Sequence, residues 1–271
     1  SRFFFNEYLI NRKTVGRFAS EKSSSFDVLW SQNIWAPAAI NNFVGHTVYF
    51  ARDETFLNIR PNYFRGIKRY AKTLYEVIDS PGFLAYCRDN RTAIESSDEV
   101  IANSQFMANE IKKKFGRGSR IITPFIDKDA LLQSYLKVHL DIDKEKKGIV
   151  LIGDALVKGI ETVRKLATDF KKEQFYVFGR SYNEPVTKGN ITYLPWVKFP
   201  AEAYKYAKVV VAPSLWSEAY GRVAAESLSL DIPCIVNDIG GLPEAVNYDE
   251  SLIARGYEDF KYKLKKILNN V

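Results

Sequence analysis

Between residues 148 and 271, five short apolar runs (148–152, 174–178, 191–194, 208–212 and 232–236) alternate with helical stretches near 158–170, 200–206, 220–230 and 256–269. Strands that alternate with helices pair in parallel, because a parallel neighbour is reached only through a crossover. Near-continuous apolar runs belong to sheets covered on both faces. This half is therefore expected to be an α/β unit on an open, doubly wound parallel sheet. Ligands bind such sheets beyond the carboxyl ends of the strands, so the segments after the apolar runs are where function is expected.

The N-terminal half carries the same period less regularly. Phe26-Asp-Val-Leu-Trp30 and Thr47-Val-Tyr-Phe50 read as buried strands, rich in β-branched and aromatic residues and bounded by polar loops. From Tyr63 to Ile78, the residues Ile67, Tyr70, Ala71, Leu74 and Ile78 recur at helical spacing. Arg65, Lys68, Arg69 and Lys72 fall elsewhere on that helix and give it a basic face. A helix over 83–96, a strand over 99–102 and a helix over 105–115 capped by Ser104 follow. Residues 121–127 read as the last strand of this half. A chain of 271 residues exceeds the usual size of one α/β unit. Two domains are expected, 1–128 and 148–271, joined by a linker region over 129–147.

No apolar run approaches the ~20 residues that a membrane-spanning helix needs. Cys87 and Cys234 lie far apart, the latter within an apolar run, so neither a disulfide framework nor a zinc site is expected. The first residues lack the layout of a secretion signal, which points to a cytoplasmic compartment. Of the net charge of +7, most is carried by residues 1–128, with 19 Lys/Arg against 13 Asp/Glu; residues 129–271 hold 20 against 19. That excess suits an anionic partner such as a membrane surface or a phosphorylated acceptor, or else serves solubility. Nucleic acid is not an expected partner.

The most informative segment is Val209-Val-Val-Ala-Pro-Ser-Leu-Trp-Ser-Glu218-Ala-Tyr-Gly221-Arg-Val-Ala-Ala-Glu226, followed by Asn237-Asp-Ile-Gly240-Gly241-Leu-Pro-Glu244. It reads as a strand, a loop and a helix start. Gly221 permits close approach, and the free amides of a first helical turn favour an anion. Carboxylates accept hydrogen bonds from paired hydroxyls. Glu218 and Glu226 on either side of that turn thus suit a ligand with sugar hydroxyls flanking a diphosphate, a nucleotide sugar.

Residues 148–247 resemble the donor-binding domain of the family-4 glycosyltransferases, retaining enzymes of the GT-B fold. The likeness rests on Glu218, Tyr220-Gly221 and Glu226, on Pro213-Ser214 before them and on Gly240-Gly241-Leu-Pro-Glu244 after them. It implies two Rossmann-like doubly wound domains, the N-terminal one reduced. It also implies that Glu218 contacts the transferred sugar, Glu226 the ribose hydroxyls, and the Gly221-Arg222-Val223 amides the phosphates. Gly153 and Lys158-Gly159 resemble the family's glycine loop, in which the lysine pairs with the donor diphosphate; Asp154 stands where an arginine is usual. Arg180 could replace that cation or flank the base, and Trp196 and Val197 fall where relatives hold the base edge.

The likeness in the N-terminal half is looser. It assigns Gln32, Asn33, Arg52, Asp53 and Ser104 to the acceptor side, with Asp53 joining Glu218 and Lys158 in the catalytic set. The pair Arg52-Asp53 holds no histidine where relatives often have one; His46 and His139 are read as structural or surface residues. The reaction implied is transfer of a hexose from a UDP- or GDP-sugar to a carbohydrate, lipid-linked or other hydroxyl acceptor, with no metal or other cofactor. Two further enzymatic readings and one binding reading stand beside it. Asp127-Lys-Asp129 and Asp141-Ile-Asp143 have the form of a metal-dependent transferase loop, a GT-B fold also serves nucleotide-sugar epimerases, and a non-catalytic nucleotide-sugar-binding module would keep the same glutamates.

Overall fold

The computed structural model describes residues 4–52, 67–138 and 147–270. The chain divides between Thr123 and Pro124 into two units.

The first unit opens with a 19-residue helix, α1 (Phe4–Lys22), which the apolar pattern had not indicated. Four parallel strands follow: β1 (Val28–Gln32), β2 (His46–Ala51), β3 (Glu99–Ala102) and β4 (Arg120–Ile121). Helix α2 (Ala36–Ile40) links the first two. Helices α3 (Ile67–Ile78) and α4 (Ser80–Ser96) precede β3, and α5 (Gln105–Phe115) precedes β4. The order is β1-β2-β3-β4, so the described strands of this sheet follow one another in one direction. The expected strand over 121–127 is also corrected, since only Arg120 and Ile121 pair with β3. Tyr8 of α1 packs with Ile34, Ala38 of α2 and Tyr86 of α4. Buried Asp79 accepts the amides of Phe5 and Asn6 at 3.1 and 2.8 Å and so caps the start of α1.

The second unit begins with α6 (Lys128–Val138), inside the segment read from sequence as a linker; its Leu131 and Tyr135 pack on this unit's core. Strands β5 (Gly148–Ile152), β6 (Phe175–Gly179), β7 (Val186–Lys188), β8 (Ile191–Pro195), β9 (Ala207–Ala212), β10 (Cys234–Asn237) and β11 (Ile253–Ala254) form one sheet. Helices α7 (Ile160–Asp169), α8 (Ala201–Tyr204), α9 (Arg222–Leu228), α10 (Leu242–Ala245) and α11 (Tyr257–Asn270) cover it. The strand order is β11-β10-β9-β5-β6-β8-β7, parallel except for β7. Apart from that hairpin strand, this is the doubly wound dinucleotide-fold order, which reverses between β5 and β9. Alternation within the strands feeds two cores. Val150, Phe178, Val210 and Val236 pack against α8, α9 and α10, while Ile149, Leu151, Val209, Val211 and Ile235 pack against α7 and α11. Each such side chain contributes about 1.5–3 kcal/mol on burial. The sheet is the rigid platform from which its carboxyl-end loops project.

Candidate functional site

Helix α7 leaves β5 toward one face of this sheet and α9 leaves β9 toward the other. Their preceding loops therefore separate at the point of reversal, and the expected residues meet there. After β5 the chain turns through Gly153 and a short 3₁₀ segment, Leu156–Lys158; the Leu215 amide beyond β9 donates to the Val157 carbonyl at 2.8 Å. Lys158 Nζ lies 2.9 Å from Glu218 Oε1 and 5.4 Å from the centre of the Trp216 ring. The Ser214 hydroxyl donates to the same Glu218 oxygen, and Asn237 Nδ2 donates to the Ser214 carbonyl at 3.0 Å. Two residues sixty positions apart in sequence thus form a half-buried ion pair at the switch point.

The double glycine explains how Glu218 is held. Gly240 has φ +62°, and a Cβ there would lie 2.5 Å from the Glu218 carbonyl oxygen and 2.6 Å from its amide nitrogen. The Gly241 amide donates to that carbonyl at 2.7 Å. The loop after β10 is thereby laid directly on the backbone of the loop after β9. Gly221, the N-cap of α9, has φ +110°, and a Cβ there would meet Leu242 at 2.7 Å. Such a helix start leaves its first amides, Gly221-Arg222-Val223, without intrahelical acceptors. Tyr220 beside it is half-buried, and burial together with Glu244 pushes its hydroxyl pKa up.

Glu226 is buried on α9, with both oxygens engaged. Tyr204 on α8 donates to Oε2 at 3.0 Å and Arg222 to Oε1 at 2.9 Å. Burial and the Glu226 carboxylate push the Tyr204 hydroxyl far above its ordinary range, so it stays a donor. Each carboxylate oxygen retains a second lone-pair site.

Asp154, read from sequence only as a departure, has a clear part. Its carboxylate accepts the Ser181 amide at 2.9 Å and the Arg180 amide at 3.4 Å, tying the loop after β5 to the turn after β6. Partial burial acts to raise its pKa, but the hydrogen bonds from Ser181 and Arg180 outweigh it and the net shift is downward. The tie fixes Arg180, whose guanidinium lies 5.3 Å from the centre of the half-exposed Trp196 ring beyond β8. Val197, next in sequence, packs against the core. No motif signals this link, because it joins two loops through a side chain and backbone amides.

In the first unit, Gln32, Asn33 and Arg52 sit at the carboxyl ends of β1 and β2, Asn33 with φ +69°. Asn103 follows β3, donates to the Arg52 carbonyl at 2.8 Å and keeps a buried, unpartnered Oδ1; sequence reasoning missed it. Ser104 is fully buried, and its hydroxyl accepts the Met107 amide at 3.0 Å. It is the cap of α5 that the sequence indicated; the correction is that its buried hydroxyl presents no surface group to an acceptor. Asp53, His139, Asp141 and Asp143 lie outside the described residues. His46 starts β2, at the opposite end of the strand from Arg52, 3.9 Å from Asp98. Asp127 accepts the Ala130 amide at 2.9 Å and caps α6. Both cysteines are free. Among the described residues no group of three or more His, Cys, Asp or Glu converges. A cavity of about 460 Å³ beside α7 and α11 is lined by Ser214, Asn237, Asp238, Arg255 and Tyr257; neither Lys158 nor Glu218 lines it.

Residues 145–270, within the second unit, match the family Glycosyl transferases group 1. An uncharacterized 41.2 kDa protein in the cps region of Klebsiella pneumoniae is 27% identical over 221 residues, 69% of this chain and 59% of that protein. The chain thus spans less than two thirds of the length of that curated relative. Sucrose-phosphate synthase from Thermosynechococcus elongatus superposes with a TM-score of 0.68 at 16% identity, over 95% of this chain and 68% of that one. Anabaena HepE in complex with UDP-glucose gives 0.70 at 13% identity, over 94% and 72%. The likeness at these identities is one of fold, the GT-B fold of two Rossmann-like units.

Proposed function

We propose that the chain is a retaining glycosyltransferase that moves a hexose from a UDP- or GDP-sugar to a hydroxyl acceptor without a metal ion. The observation that carries this reading is the Lys158–Glu218 pair at the switch point, held by Ser214 and by the double glycine. Without donor, the two side chains neutralise one another. With donor present, Lys158 turns to the diphosphate and Glu218 accepts the hydroxyls of the sugar. The α9 amides bind phosphate oxygens, Glu226 takes the ribose hydroxyls while Tyr204 and Arg222 hold it in place, and the Arg180–Trp196 surface flanks the base. Complexes of HepE with UDP and UDP-glucose favour this class of donor.

The acceptor oxygen attacks the anomeric carbon on the face from which the nucleoside diphosphate departs. The bond from that carbon to the phosphate oxygen breaks, and the acceptor proton passes to the leaving phosphate. No strong protein base is required. Lys158 and the helix amides stabilise the charge that develops on the diphosphate. Gln32, Asn33, Arg52 and Asp53 are assigned to a carbohydrate, lipid-linked or other hydroxyl acceptor.

The test is mass-spectrometric detection of donor consumption and acceptor glycosylation across a panel of UDP- and GDP-sugars, with and without EDTA. Transfer should proceed in EDTA. Lys158→Ala and Glu218→Gln should each lower kcat by about 10²–10³-fold, in the range of losing one charge-stabilising group. Glu226→Ala should chiefly weaken donor affinity. Donor bound but never consumed would identify a binding module, and donor isomerised without acceptor an epimerase. Loss of transfer in EDTA, restored by manganese, would overturn the metal-free mechanism.

A further inference from the structure

Helix α3 carries its polarity inside out. The side chains turned toward the protein are Lys72, Tyr75 and Glu76. Lys72 pairs with Glu76 at 2.9 Å, and the Tyr75 hydroxyl accepts the Phe4 amide at 3.1 Å. The basic face expected to meet an anionic partner is thus partly spent inside the unit, through Lys72; Arg65 and the side chain of Lys68 lie outside the described residues. Ile67, Tyr70, Leu74, Val77 and Ile78, between 47% and 84% exposed, form a stripe at steps of three and four residues on the opposite side. Phe4, bound through its amide to Tyr75, and Leu84, one turn into α4, add further exposed apolar surface.

A soluble helix buries its apolar stripe and wets its polar one, so a stripe presented this way requires a partner. We propose that α3 lies flat on an anionic lipid bilayer, its apolar side chains entering the headgroup region. The twelve residues of α3 make a helix about 18 Å long, enough to lie in the interface and too short to cross it. Charge decides between a membrane and a second copy of the chain. Residues 1–128 hold 19 Lys/Arg against 13 Asp/Glu, and Arg69 is exposed on α3 itself. Pairing two such units would bring like charge together, whereas anionic lipid complements it. Among the described residues no helix is long and apolar enough to cross a membrane. The surface lies in the first unit and does not depend on the chemistry proposed for the second.

The experiment is co-sedimentation of the full chain with phosphatidylcholine vesicles, with and without phosphatidylglycerol, across a salt series. Binding should require phosphatidylglycerol and weaken with salt. The double variant Leu74→Glu/Val77→Glu changes only exposed side chains, so it should fold normally; its affinity should fall by about tenfold or more. The variant Tyr70→Trp should show, on those vesicles, a blue shift in emission larger than that of the parent. Vesicle binding equal in the parent and the double variant, or a Tyr70→Trp emission shift no larger than the parent's, would overturn the proposal. A dimer in analytical ultracentrifugation that the double variant dissolves would also overturn it, in favour of self-association.

Discussion

In the second unit the chain lays down β5, moves outward through β6 and β8, then crosses back to place β9 on the other side. In the first unit β1 to β4 follow one another without a reversal. The difference decides where a crevice can form. Helices that follow adjacent strands on opposite sides of a switch point leave toward opposite faces, so their loops part and a ligand fits between them. Successive crossovers of one hand in a sheet without reversal put the connections on one face, and no such gap opens between the described strands. The second unit accordingly gathers Lys158, Glu218 and the double glycine. The first unit offers instead a row of strand ends and the outward face of α3.

The sharpest way to break this contrast is to move the crevice without removing any group from it. Gly240→Ala puts a methyl against the backbone of Glu218 at a position of positive φ, so the loop must shift. A displacement of about 1 Å costs of the order of 10²-fold in rate. Steady-state kinetics should show that loss in kcat, with the cooperative melt of the unit retained. Unchanged kinetics would mean that the glycine pair does not set the position of Glu218.

A second change acts on the other side of the comparison. Asp79→Ala leaves two amides at the start of α1 without their buried acceptor, which should destabilise the first unit by about 1.5–3 kcal/mol. Denaturant unfolding followed by aromatic circular dichroism would record it. Donor affinity below the transition, measured by calorimetry, should stay the same; a parallel loss of affinity would show that the site draws on the first unit.

The smallest effect concerns the Asp154 tie. Its folded pKa lies below the ordinary carboxylate value of 3.8, so the tie is present above that value and lost as pH falls through the lower folded one. Asp154→Asn should weaken donor binding by less than about tenfold near neutral pH, because one amide acceptor survives. Donor affinity of the parent should fall in acid relative to neutral pH more steeply than that of the variant. Parallel pH curves would leave Asp154 without a part in holding Arg180.

Five strands of the second unit, β5, β6, β8, β9 and β10, were legible because each is a run of apolar residues between polar turns, whereas the short β7 and β11 were not expected. The expected runs at 148–152 and 99–102 coincide with β5 and β3, and the others, apart from the corrected 121–127, differ by a residue or two at their ends. The motif from Pro213 to Glu226 was legible for a related reason: in a strand, loop and helix start, local chemistry fixes both conformation and position. Helix α1 was not. Its burial rests on Tyr8, Gly16 and Ala19, and its anchors are Asp79 and an Arg12–Asp89 ion pair of 2.6 Å. Small residues and distant carboxylates leave no apolar period to read.

The sequence by itself determined the α/β class, the parallel sheet of the second unit and the residues that line its loops, because these follow from local periodicity and turn chemistry. Only the tertiary structure decided that Lys158 meets Glu218, that Asp154 ties two loops, that the Ser104 hydroxyl is buried and that α3 faces outward with its apolar side. Each of these depends on which elements become neighbours and which face each presents. Hydrophobic pattern states that a face must be covered; the packing of the whole chain decides what covers it.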